Sequence, residues 1–113
     1  MKVNVLGTEY EIITKSRDSD IRLKDADGFC DGYAKQIVIS DLKNYDTDPE
    51  ETLKTTRKII IRHELVHAFL DESGLNYDAN VWGSAWSKNE EMVDWIAWQF
   101  PKMLKAFQEA DCL

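Results

Sequence analysis

The stretch His63-Glu64-Leu65-Val66-His67 holds both of the chain's two histidines, four positions apart, with a glutamate directly after the first. On an α-helix, residues i and i+4 stand one above the other on one face, so two imidazoles at this spacing can be aimed at one ion. Two such nitrogens are half of a tetrahedral zinc site. A carboxylate one position along lies beside that ion, where it can take a proton from a metal-activated water. The neighbours Ile59, Ile60, Ile61, Leu65, Val66, Ala68, Phe69 and Leu70 leave little polar face, which predicts a mostly buried helix. Two imidazoles and a carboxylate on such a helix need partners to offset desolvation, and a metal supplies them.

A catalytic zinc site takes a third protein ligand and keeps its fourth position for water. With no further histidine, the candidates are carboxylates and Cys30. Downstream, Asn89-Glu90-Glu91-Met92-Val93-Asp94 reads as helix, and Glu90, Asp94 and Ala97 share a face of it. Glu91 lies instead with Trp95 and Trp98. A small residue at Ala97 suits a helix that must pack close to the metal-bearing one. Glu90 is therefore favoured over Glu91 as third ligand, with Asp94 a partner for a histidine ring N–H.

The elements that must position these groups have readable ends. Thr47-Asp48-Pro49-Glu50-Glu51 combines a capping residue, an early proline and acids in the first turn, which predicts a helix from Pro49 to Ser73 stopping at Gly74. Its first half, Thr52 to Lys58, is polar and faces solvent. Ser87 and Glu90 have the spacing of a capping box, so Ser87 is expected to open the last helical region. Met92, Val93, Ile96, Ala97 and Phe100 form its apolar stripe, and Pro101 predicts a kink or a new short helix from Lys102 to Ala110.

Ahead of the helices the period changes to two. Lys2 to Leu6 and Glu9 to Lys15 read as an antiparallel hairpin turning at Gly7-Thr8. Ser16 to Asp27 is polar loop, with a short strand at Ile21-Arg22-Leu23. Gly28 to Tyr33 and Gln36 to Ser40 form a second strand pair, with Ile37-Val38-Ile39 near the centre of the sheet. Gly28 and Gly32 let another backbone approach closely, as an edge strand that binds an extended peptide would require. A plain hairpin reads equally well. Leu75 to Ser87 has no clear period and holds Tyr77, Trp82 and Trp86; its tryptophans mark a binding surface or core packing.

The 113 residues suit one domain, 1–113, of class α+β: an antiparallel or mixed N-terminal sheet packed on a long helix and a C-terminal glutamate-bearing helix. A net charge of -7 without a Lys/Arg cluster disfavours a nucleic-acid partner. No apolar run approaches the ~20 residues of a membrane span, and no signal-peptide segment is evident, so a cytoplasmic location is expected. Cys30 and Cys112 fit no C-x-x-C pattern and are expected to be free thiols.

The pattern H-E-x-x-H…N-E-x-x-x-D, carried by residues 63–94, resembles that of the gluzincin metallopeptidases, of which thermolysin is the best known. The size and the strands ahead of the helix resemble the minimal single-domain gluzincins or the core of the ImmA/IrrE-type peptidases, and so imply a small zincin-like domain. The resemblance implies zinc held by His63, His67 and Glu90, Glu64 as general base, Asp94 orienting His63, and a peptide or protein as substrate. Many gluzincins carry a further histidine that steadies the oxyanion; none exists here, which leaves Tyr77, then Tyr33, for that role. Two other readings stay open: a zinc-stabilised module that binds a peptide without cutting it, and a latent enzyme in which the Cys30 thiolate takes the fourth zinc position.

Overall fold

The computed structural model describes residues 1–77 and 86–113, Tyr77 in its backbone only. It is a small α+β domain in which a four-stranded mixed sheet packs on one long helix, with a second helix beside the first. The strands are β1 (Lys2–Val5), β2 (Thr8–Lys15), β3 (Gly28–Asp31) and β4 (Gln36–Ser40); the helices are α1 (Glu50–Glu72) and α2 (Glu90–Glu109).

β1 and β2 form the expected antiparallel hairpin, with Val3 opposite Tyr10 and Val5 opposite Thr8. The turn is at Leu6 and Gly7, one residue earlier than the pattern indicated, and both have positive φ (51° and 93°), as a two-residue turn matched to strand twist requires. The Asn4 side chain accepts from the Gly7 amide and fixes the turn. β4 lies inside the sheet, parallel to β2 and antiparallel to β3, so the order is β1-β2-β4-β3 and β3 is an edge. Val38 and Ile39 are fully buried on opposite faces, which is why this strand is apolar at consecutive positions.

Ile21-Arg22-Leu23 is not a strand. It forms a 3-10 turn, because the Asp20 carboxylate accepts from the Arg22 amide and its guanidinium, bending the backbone before it can extend. Only Leu23 is buried, while Ile21 is exposed.

The core lies between the sheet and α1: Val5, Tyr10, Ile12, Ile37, Ile39 and Ala68, with Ile60, Ile61 and Leu65 packed against it. α1 ends as expected, with Ser73 as its last cap and Gly74 at φ 80°. Its start differs, since Pro49 itself holds the cap position and no side chain caps the first turn. The helix is also more open than its composition suggests. Glu64, Ala68 and Leu70 are buried, but Phe69 is 44% exposed, because Arg62, Val66 and Phe69 face α2 across an apolar groove that Ile96 and Phe100 line from the other side.

α2 departs further from expectation. Its cap is Asn89, whose side chain accepts from the Met92 amide, and not Ser87. Ser87 sits in a preceding 3-10 turn, buried, its hydroxyl donating to Asn76. Pro101 neither ends α2 nor starts a new helix; the helix runs through it to Glu109.

One polar knot ties the end of α1 to the sheet. Glu72 accepts from the Thr8 hydroxyl at 2.8 Å and the Tyr10 hydroxyl at 2.8 Å, and pairs with Lys35 from the turn between β3 and β4. These donors hold its carboxyl down at about 2, from an ordinary 4.5. Glu72 thus adds stability in full above about pH 4.5 and loses it as the pH falls toward 2. In urea titrations, Glu72→Gln is expected to be less stable than wild type at pH 7, with the difference closing between pH 4.5 and 2. A gap that stays constant over that range would mean the knot is not ionic.

Candidate metal centre

His63 and His67 project from one face of α1, and Glu90 opens α2 opposite them. His63 Nε2 lies 3.0 Å from Glu90 Oε2, His67 Nε2 lies 3.3 Å from Glu90 Oε1, and the two Nε2 atoms are 3.2 Å apart. All three donor groups converge within 4.8 Å, and among the described residues they form the one group able to hold a metal ion. The rings meet edge to face at 4.9 Å between centroids.

His63 Nδ1 is 2.8 Å from Asp94 Oδ1. A carboxylate can only accept, so Nδ1 donates to Asp94, which leaves Nε2 as the ring atom that would face a metal. Asp94 reaches His63 because it stands one turn after Glu90 on the same face of α2.

Glu64 lies next to the cluster, 6% exposed. Burial pushes its carboxyl up to about 7; the neighbouring His63 opposes this, while Glu90 and Asp94 add to it. The burial is made by β3. A Cβ on Gly28 would lie 2.8 Å from Ile60 Cγ2 and 3.2 Å from Glu64 Oε1, so the strand backbone can lie this close to the helix only without a side chain at position 28.

β3 and α1 bound an open cleft of about 330 Å³, lined by Gly28, Phe29, Cys30, His63, Glu64, His67 and Glu90. Ala26 lines it too, as do two charged residues that the sequence pattern does not single out, Asp71 and Lys88. Asp71 had a signal, since it continues the row His63, His67 by four more positions. Its carboxyl is raised, first by burial. Lys88 had none, because the capping-box spacing puts it in the first turn of the last helix, whereas it closes a 3-10 turn ahead of the Asn89 cap.

Cys30 is not drawn to the cluster. Its thiol points to Asp71 Oδ2 at 4.0 Å, and burial together with the Asp71 charge pushes it up to about 12. It lines the cleft without belonging to the donor group formed by His63, His67 and Glu90. Glu91 is exposed and outside the donor group. Tyr33 is 86% exposed and borders the neighbouring groove. The backbone of Tyr77 closes a 3-10 turn after α1, and its side chain, like Trp82, lies outside the described residues. Trp86 is 57% exposed. Among the described residues no helix is long and apolar enough to cross a membrane.

Comparison with known proteins returned no match: no family model, no curated protein and no solved structure corresponds to this chain.

Proposed function

We propose that this chain is a small zincin-like domain that hydrolyses peptide bonds, with zinc held by His63, His67 and Glu90. The observation that carries the reading is the mutual spacing of the three donor atoms His63 Nε2, His67 Nε2 and Glu90 Oε2, 3.0 to 3.4 Å. Ligands about 2.0–2.1 Å from one ion at tetrahedral angles stand about 3.3 Å from one another, so the donor set fits zinc in both chemistry and separation. With three protein ligands, a fourth direction remains toward the cleft.

Zinc in that position supplies Lewis-acid polarisation of a carbonyl and makes water acidic near neutral pH. The chain's own residues do the rest. Glu64, with its carboxyl lifted to about 7, accepts the proton of the attacking water and returns it to the leaving amine. Asp94 fixes the His63 tautomer. β3, at the edge of the sheet and alongside Glu64, offers backbone groups to an extended peptide, which would lie over the cleft as an added strand.

Elemental analysis tests the foundation. Wild type and Glu91→Ala are expected to hold roughly one zinc per chain, the number one catalytic site requires, and Glu90→Ala clearly less. Equal zinc in all three proteins would take Glu90 out of the site; none in wild type, even after zinc is added back, would end the metallopeptidase reading.

A further inference from the structure

Pro101 stands in the interior of α2, where it lacks the N–H that the carbonyl four residues earlier would accept. That carbonyl belongs to Ala97, which is fully buried. A buried carbonyl without a donor is costly, and a proline here should have ended or kinked the helix. The helix continues through it, and the donor comes from the other helix: Arg62 Nε–H donates to the Ala97 carbonyl at 2.5 Å.

The placement of this bond matters more than its strength. Arg62 immediately precedes His63 on α1, and Ala97 lies seven residues after Glu90 on α2, on the same face as Glu90 and Asp94. Three links therefore join the helices in one row: Arg62 to Ala97, His63 to Asp94, and both histidines to Glu90. The last two involve the cluster itself. The first involves no ligand and no titrating group, because a guanidinium keeps its charge. Its planar head donates in a fixed direction, and its target is a backbone atom that cannot rotate away.

We infer that Arg62 is a positioning residue for the metal cluster. It occupies the acceptor that Pro101 leaves open, fixes how far α2 slides along α1, and so places Glu90 against His63 and His67. The inference rests on the metal reading for its consequence, though not for the latch itself. The pairing of a proline in one helix with an arginine from the other is what makes it testable, since Pro101→Ala gives the Ala97 carbonyl an N–H from its own helix.

The first arm is a double-mutant cycle in chelator: wild type, Arg62→Met, Pro101→Ala and the double variant, unfolded in urea. Methionine keeps the apolar stem that lines the groove with Val66 and Phe100 and removes the donor. Arg62→Met is expected to lower the folding constant about tenfold in the wild-type background and much less in the Pro101→Ala background. Equal losses in both backgrounds would overturn the latch.

The second arm is titration of the same four proteins with Co²⁺, read by affinity and by the visible absorption band. Arg62→Met is expected to bind about tenfold more weakly than wild type, with an altered band. In the double variant, stability returns but Co²⁺ affinity stays low, because the helix is satisfied and its register is not fixed. Wild-type affinity and band in Arg62→Met, or recovery of both in the double variant, would overturn the positioning role. Absence of Co²⁺ binding by wild type would overturn the metal reading, and the positioning role with it, whatever the urea cycle gives.

Discussion

Glu64→Gln is expected to slow hydrolysis of an unfolded, fluorophore-labelled protein by about 10²- to 10⁴-fold while zinc content stays at the wild-type level. Glutamine has nearly the shape of glutamate, so the packing of Ile60 and Gly28 around position 64 is preserved. It cannot hold a proton in transit. The carboxyl is well suited to that task because burial brings it to about 7, near the pH at which a base works best. The same burial gives the substitution a second signature, in chelator. A carboxyl whose folded pKa is raised favours the folded state below its ordinary 4.5 and loses that contribution as the pH rises toward 7. Wild type should therefore lose stability relative to Glu64→Gln across that interval. Hydrolysis at the wild-type rate by Glu64→Gln would remove the general-base assignment, and parallel stability curves would show that Glu64 is not held in a desolvated state.

The second large effect concerns the response to metal. Zinc at about 100 times its dissociation constant adds about 2.7 kcal/mol to folding, which for a domain of this size raises the unfolding midpoint by roughly 10 °C. His67→Ala is expected to abolish that rise. The difference between midpoints with and without zinc is the informative quantity, because His67 is largely covered and its truncation costs packing in either state. A rise of unchanged size in His67→Ala would mean that zinc binds elsewhere. No rise in wild type would mean that the ring nitrogens facing each other at 3.2 Å serve some other purpose.

What could be read from the sequence was what depends on local period. The spacing of His63 and His67 places two rings on one face, and that of Glu90 and Asp94 places two carboxylates on another, because helical geometry alone fixes both. β4 was legible for the same reason, as three consecutive β-branched residues suit a strand covered on both sides. The failures came where a distant partner decides. Pro101 reads as a breaker until Arg62 is seen to serve the carbonyl it orphans. Ser87 and Asn89 are both good caps, and burial of Ser87 against Asn76 left the role to Asn89. Ile21 to Leu23 alternates like a strand, but Asp20 captures its backbone first. The contact between Cys30 and Asp71 was illegible for the same reason, since Asp71 is a neighbour in space and not in sequence.

The sheet order has a consequence for the time course of folding. β1 with β2 and β3 with β4 are each hairpins that can close within microseconds on contacts close in sequence. The seam between β2 and β4, with Glu11 opposite Gln36, is parallel and must gather the long Ser16–Asp27 excursion before it forms. α1 docks across that seam, touching residues of both hairpins, and α2 in turn leans on α1. The Gly28 backbone can close over Glu64 only once β3 and α1 have docked, so a chain still folding carries the letters of the site without the site.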